Sequence, residues 1–236
     1  MVDAATIFSS LGTIFSVFLS FSPTVPFIQV FQRKEKIEIL PEGMLFCQLL
    51  NRLLWGSVWV LTKRLIPLIN AGTGILITST FLVLYFFLYF NRIYLKALIG
   101  FFALLSFELL IFLGAISYGN VDVVTLLAMI FNVAMYIAPG QKIIRVIKEK
   151  NYKLIPIRST IVSICCSGSW LLYGIVINLM GQIVPNALGL FFSIANTLAW
   201  IYFYINGKDL KDKEEETFAV VHNSSSNKLY NYKENF

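Results

Sequence analysis

Charge is scarce in this chain of 236 residues: Asp, Glu, Lys and Arg together make up 14% of it, against about 25% in ordinary soluble domains. Histidine is nearly absent. The one residue, His222, lies in a polar C-terminal stretch, so no histidine-based metal site or Ser–His triad can be assembled in the apolar part. Three cysteines, Cys47, Cys165 and Cys166, form neither a disulfide framework nor a metal-ligand spacing and read as small packing residues. The apolar segments also lack paired carboxylates and an activated nucleophile. No catalytic residue, metal or cofactor is expected, and the chain does not read as an enzyme. Basic residues are missing ahead of the first apolar run, which is too long for a cleaved signal and reads as a true span. The polar–apolar alternation of a barrel strand is missing too.

What is present is apolar surface, in 57% of the residues. A bilayer-crossing helix needs about 20 mostly apolar residues. Seven continuous segments meet that need, at 5–31, 43–62, 65–90, 97–117, 121–143, 155–177 and 183–206. In lipid such runs satisfy their backbone groups only as helices. The expected fold class is therefore an all-α membrane protein with seven transmembrane helices, surrounded by lipid. The formal net charge of +6 is not a nucleic-acid footprint, because the basic residues sort by loop. Arg33, Lys34 and Lys36 follow the first segment, Arg92 and Lys96 the third, Lys148, Lys150 and Lys153 the fifth, and Lys208, Lys211 and Lys213 the seventh. The opposite side carries only Lys63 and Arg64. Excess Lys and Arg mark cytoplasmic loops, so the N-terminus is expected outside or in the lumen and the C-terminus in the cytoplasm. The tail 207–236 is polar and is expected to lack fixed structure.

An internal repeat organises the span pattern. "SPTVPFIQVFQRKEKIEILP" from Ser22 resembles "APGQKIIRVIKEKNYKLIP" from Ala138. Pro23, Pro41, Trp55 and Asn70 recur as Pro139, Pro156, Trp170 and Asn186, at an offset of 115 or 116 residues. Each repeat covers three spans. Three is odd, so two repeats of like orientation need one extra crossing between them. The expected plan is 3+1+3: a first triple-helix bundle at 5–90, a linker helix at 91–119 and a second bundle at 120–206.

These residues carry a family resemblance. "MYIAPGQKIIRVIKEKNYKLIP", "SWLLYG" and "VPNALG" in the second half, with "LLNRLLW" and "INAGTG" in the first, resemble the motifs of the SWEET sugar transporters of the PQ-loop group, whose parallel repeats are related by an axis along the membrane normal. The similarity spans residues 7 to 206. It implies movement of a sugar, such as a monosaccharide like glucose, down its gradient by alternating access without a coupled ion. It places substrate contacts on Asn70 and Asn186, a flanking pocket wall on Trp55 and Trp170, and hinge prolines at Pro23, Pro41, Pro139 and Pro156. Pro41 lies about one turn before the family's usual place. The family often has an aspartate before its proline–asparagine pair, whereas this chain has Asn178 and Leu179 there. Tyr173 and Pro185 remain as gate candidates. The host membrane could be the plasma membrane or an endomembrane such as Golgi, and a homo-oligomer is compatible with the sequence.

The residues support that reading independently. An asparagine amide offers two donors and an acceptor suited to ring hydroxyls, and an indole face suits the C–H face of a pyranose. An interhelical hydrogen bond would explain one isolated asparagine, but not two matched with two tryptophans across a repeat. Two intramembrane charges are left over. Arg52 either reaches the pocket edge near Trp55 or pairs with Glu108 in the fourth segment. A carrier of amino acids or organic anions, proton-coupled, is the alternative these charges keep open. A seven-helix receptor would not repeat four landmarks, and a retinal protein wants a lysine deep in the last span, where there is none.

Overall fold

The protein is described by a computed structural model over residues 3–32, 42–90 and 95–233. Its first helix begins where a free backbone N–H finds an acceptor: the Asp3 carboxylate accepts from Thr6 N at 2.7 Å, as an N-cap should. Helix α1 is Ala4–Ser20 and α2 is Thr24–Phe31. They are followed by α3 (Glu42–Leu61), α4 (Leu65–Phe90), α5 (Leu95–Tyr118), α6 (Val121–Ala134), α7 (Ile137–Glu149), α8 (Ile157–Val176) and α9 (Met180–Lys233), with a short 3-10 turn at Tyr152–Leu154. Every regular element among the described residues is helical.

Five stretches are long and apolar enough to cross a membrane: Ala4–Phe31, Met44–Leu61, Leu65–Leu88, Ile157–Val176 and Met180–Asn206. Leu109–Tyr118 and Val121–Ala134 are shorter apolar helices. Burial follows membrane logic. Phe18, Phe31, Leu76, Phe87, Phe191 and Leu198 face outward, whereas Ser9, Ser16, Ser20, Ser57, Thr78, Ser167 and Ser169 are buried. In lipid the helices gain by close approach over small residues, since the tails are as apolar as leucine. The chain is an integral membrane protein.

Two segments read as single spans are broken. The first stops at Ser20 and restarts at Thr24, with Pro23 at the N-cap of α2. Pro23 has no N–H for the Leu19 carbonyl, which accepts from Ser22 N at 2.9 Å instead. The fifth breaks between Ala134 and Ile137, where the Tyr136 N–H turns to Val133 O at 3.0 Å. The last helix starts at Met180 rather than 183, so "NLMGQ" is a tight turn plus the first helical residues. Its backbone continues helically past Asn206 into the polar tail that was expected to lack fixed structure. Extending an existing helix fixes one residue per added bond and avoids a new nucleus.

The repeat is written into the backbone. At the end of α3, Thr62 N donates to Val58 O, Lys63 N to Val60 O and Arg64 N to Trp59 O. At the end of α8, Ile177 N donates to Tyr173 O, Asn178 N to Ile175 O and Leu179 N to Gly174 O. Each bond maps onto the other under a shift of 115 residues, and both are Schellman turns. Lys63 and Asn178 occupy the left-handed C′ position, with φ of 55° and 53°.

Packing repeats as well. α4 packs on α3 and on α1, while α9 packs on α8 and on α6. Between the two sets, α1 packs on α8 and α3 on α6. Exchanging each helix for its counterpart exchanges these contacts in pairs. α5 packs on α3.

Candidate functional site

The seam between the two sets of helices is built around aromatics. Trp55 and Trp59, one turn apart on α3, stack at 5.3 Å. Trp170 and Tyr173, on α8, meet edge to face at 5.5 Å. Trp59 and Tyr173 join the two pairs across the seam at 6.0 Å. The four rings belong to one buried cluster with Leu50, Leu54, Val58, Ala128 and Cys166. Trp170 also has a polar anchor, because its Nε1–H donates to Ser16 Oγ at 2.9 Å. Ser16 Oγ lies 3.2 Å from Cys166 Sγ. Buried indoles usually find such a partner.

This bond depends on a stripe of small residues. Ser9, Gly12, Ser16 and Ser20 recur at helical spacing and form the buried side of α1. A methyl group on Gly12 would lie 2.8 Å from Trp170 Cε2. Glycine is required there because the indole lies directly on the backbone.

Asn70, on α4, and Asn186, on α9, are both 7% exposed. The structure therefore buries both amides, and it treats them differently. Asn186 Nδ2 donates to Gln182 O at 2.7 Å. Asn70 Oδ1 has no hydrogen-bond partner. An open buried acceptor costs about 1–3 kcal/mol, so Asn70 is poorly explained as packing alone. Near Asn186, Gln182 Oε1 and Thr125 Oγ1 are also buried without partners. Pro185 is fully buried inside α9, in its second turn.

Of the four proline positions, Pro23 is buried at the break between α1 and α2. Pro156 is exposed at the N-cap of α8, where its carbonyl accepts from Thr160 N at 3.1 Å. Pro139 lies in α7, but its side chain, like the whole of Pro41, is outside the described residues. Tyr173 is buried against Trp59. Trp59, within "WGSVW", is the site residue that the sequence pattern did not single out. A second tryptophan one turn from Trp55 was the available signal.

Arg52 points into the seam. A methyl on Gly74 of α4 would lie 2.7 Å from its Nε, and its Nη2 is 3.4 Å from Ser20 Oγ. Among the described residues the only ion pair is Arg145–Glu149. The Glu108 side chain lies outside the described residues. No cluster of three or more potential metal ligands occurs among the described residues.

Residues 122–208 match the family described as "Sugar efflux transporter for intercellular exchange". The chain is 28% identical over 228 residues to the bidirectional sugar transporter SWEET7 of Arabidopsis thaliana, covering 92% of this chain and 87% of that one. It is 24% identical over 225 residues to SWEET16 of the same plant, covering 91% and 96%. It is 26% identical over 230 residues to SWEET7b of Oryza sativa subsp. japonica, covering 92% and 85%. Its fold superposes on a solved eukaryotic SWEET transporter with a TM-score of 0.76 at 21% identity, covering 85% of this chain and 97% of that chain. From its sequence matches and its fold together, this chain is similar to the SWEET sugar transporters.

Proposed function

We propose that this protein is a transporter and not an enzyme, and that it carries a sugar across its membrane down the gradient, one solute at a time and without a coupled ion. The observation that carries this reading is the buried Asn70 acceptor, open at a position that the repeat matches with Asn186. Sugar hydroxyls would satisfy both amides, with Trp55 and Trp170 as apolar walls. The bulk of the four packed rings favours a monosaccharide such as glucose over a disaccharide. The named relatives are bidirectional sugar transporters, in keeping with a gradient-driven carrier.

The two bundles, 5–90 and 120–206, would rock against each other, with 91–119 as the linking span of a 3+1+3 plan. Helix breaks beside Pro23 and before Pro139 are natural hinges. Trp59 and Tyr173 close the seam at the end that carries Lys63 and Asn178, which we assign to the outside or lumen. The basic loops and the C-terminus then face the cytoplasm, in the plasma membrane or an endomembrane.

Uptake of labelled glucose into vesicles containing the full-length chain, with and without a protonophore, tests this. Saturable uptake unaffected by the protonophore is expected. Uptake driven by a proton gradient would favour the proton-coupled carrier of amino acids or organic anions instead.

A further inference from the structure

Both halves of the site bury an asparagine, and they differ further one turn on. In the first half, three helices meet at Arg52, Gly74 and Ser20. The guanidinium lies across Gly74, whose added methyl would be 2.7 Å from Nε and 2.9 Å from Cζ, and Nη2 reaches Ser20 Oγ at 3.4 Å. The repeat offsets of 115 for α3 and 116 for α1 carry Arg52 to Ser167 and Ser20 to Tyr136, and Gly189 stands three residues after Asn186 where Gly74 stands four after Asn70. Those three residues also meet. A methyl on Gly189 would be 2.8 Å from Ser167 Oγ and would strike the Tyr136 hydroxyl, and that hydroxyl engages Ser167. Each cluster stands one helical turn from its own asparagine, Gly74 after Asn70 and Gly189 after Asn186. Where one half places a cation beside its glycine, the other places hydroxyls.

The cation is not neutralised by any described group. No described carboxylate pairs with it, since Arg145–Glu149 is the sole ion pair among the described residues. Its electrostatic neighbour is Cys166, across the seam and next to Ser167. A guanidinium stays protonated in proteins, and an unpaired charge at membrane depth is costly. Its planar fork matches a carboxylate or a phosphate with two parallel hydrogen bonds.

We propose that Arg52 is a substrate contact at the inner edge of the site, and that the preferred sugars carry an anionic group, a carboxylate or a phosphate, held by Arg52 while Asn70 and Asn186 take the hydroxyls. This rests on the sugar-transport reading and specifies its substrate class.

The test uses the full-length chain in vesicles with three labelled probes: glucose, glucuronate and glucose 6-phosphate. At least one of the acids should outcompete glucose by about tenfold or more, the scale of a charge-assisted hydrogen bond. The arm that does so names the group. Uptake of that acid should respond to an imposed membrane potential, as net charge movement requires, while glucose uptake should not. In Arg52→Gln the ratio of acid to glucose uptake should fall about tenfold. Arg52→Lys, which keeps the charge and loses the fork, should fall between and serves where the glutamine variant does not fold. Thermal unfolding in detergent checks folding for both. A purely structural arginine would lower the unfolding temperature and leave the ratio unchanged, which would overturn the proposal. Glucose uptake with neither acid competing would overturn it too, and leave sugar transport standing. Uptake of none of the three would overturn both.

Discussion

Asn70 illustrates how a single atom separates function from packing. Its Oδ1 is buried and open, which costs about 1–3 kcal/mol. A leucine there would remove that cost. We therefore expect Asn70→Leu to keep or raise the unfolding temperature in detergent while abolishing sugar uptake. Loss of stability with uptake intact would mean that Asn70 serves the fold. Asn186 differs, because its Nδ2 already donates to Gln182 O. Asn186→Ala should cost about 0.6 kcal/mol, the average worth of a hydrogen bond within a membrane protein, and should also abolish uptake. Fluorescence-monitored unfolding beside vesicle uptake separates the two effects.

Helices and turns carry their own constraints. Lys63 and Asn178 occupy equivalent left-handed positions, at φ 55° and 53°. Asparagine tolerates that region and lysine does not, at a cost of about 1–2 kcal/mol. Lys63→Gly should gain roughly 1 kcal/mol and Asn178→Ala should lose about as much, both read from thermal unfolding. The contact of α1 with α8 is equally specific. Gly12→Ala pushes a methyl to 2.8 Å from the Trp170 ring, and overpacking of that kind costs about 1–3 kcal/mol. Trp170→Phe in the same chain should recover part of the loss, because the smaller ring makes room. At the start of α1, hydrogen bonds from the Thr6 hydroxyl and backbone N–H hold the Asp3 carboxyl below its ordinary value of 3.8. A lowered pKa contributes stability above the unfolded value, and that contribution is lost as pH falls through the folded one. Asp3→Asn keeps a cap without the charge, so it should flatten the acid limb of an unfolding-temperature profile against pH.

Across the whole molecule, the turn at Lys63 and Arg64 shares an end with Asp3, whose carboxyl feels the Arg64 charge. The turn that carries Lys148 and Lys150 precedes α8, one helix length from Asn178. A tag after Phe236 should be reached by antibody only when the cytoplasmic side is opened. Labelling on intact cells, with the protein verified at the surface, would reverse the orientation. The packing divides the helices into the two sets proposed to rock against each other. Within each set one helix packs on both others, whereas the contacts between sets run through α1 on α8 and α3 on α6.

Hydropathy and length are local quantities, so the sequence by itself determined that the chain is helical, that it lives in a membrane and that its landmarks recur after 115 or 116 residues. The tryptophans and asparagines were legible because the repeat presents each of them twice. Trp59 was not legible, because its partner Tyr173 lies on another helix and the repeat places Gly174 opposite it. The breaks in the first and fifth spans were hidden because hydropathy does not register a missing backbone donor. Arg52 could be placed on α3 but not aimed: a long side chain at one helical angle can reach either of two neighbours. Only the tertiary structure decided that it lies over Gly74 toward Ser20. The bond from Trp170 to Ser16 spans 154 residues of sequence, and no local pattern encodes it. Contacts across the seam exist only once α1 and α8 are packed, which makes the seam a property of the assembled bundle.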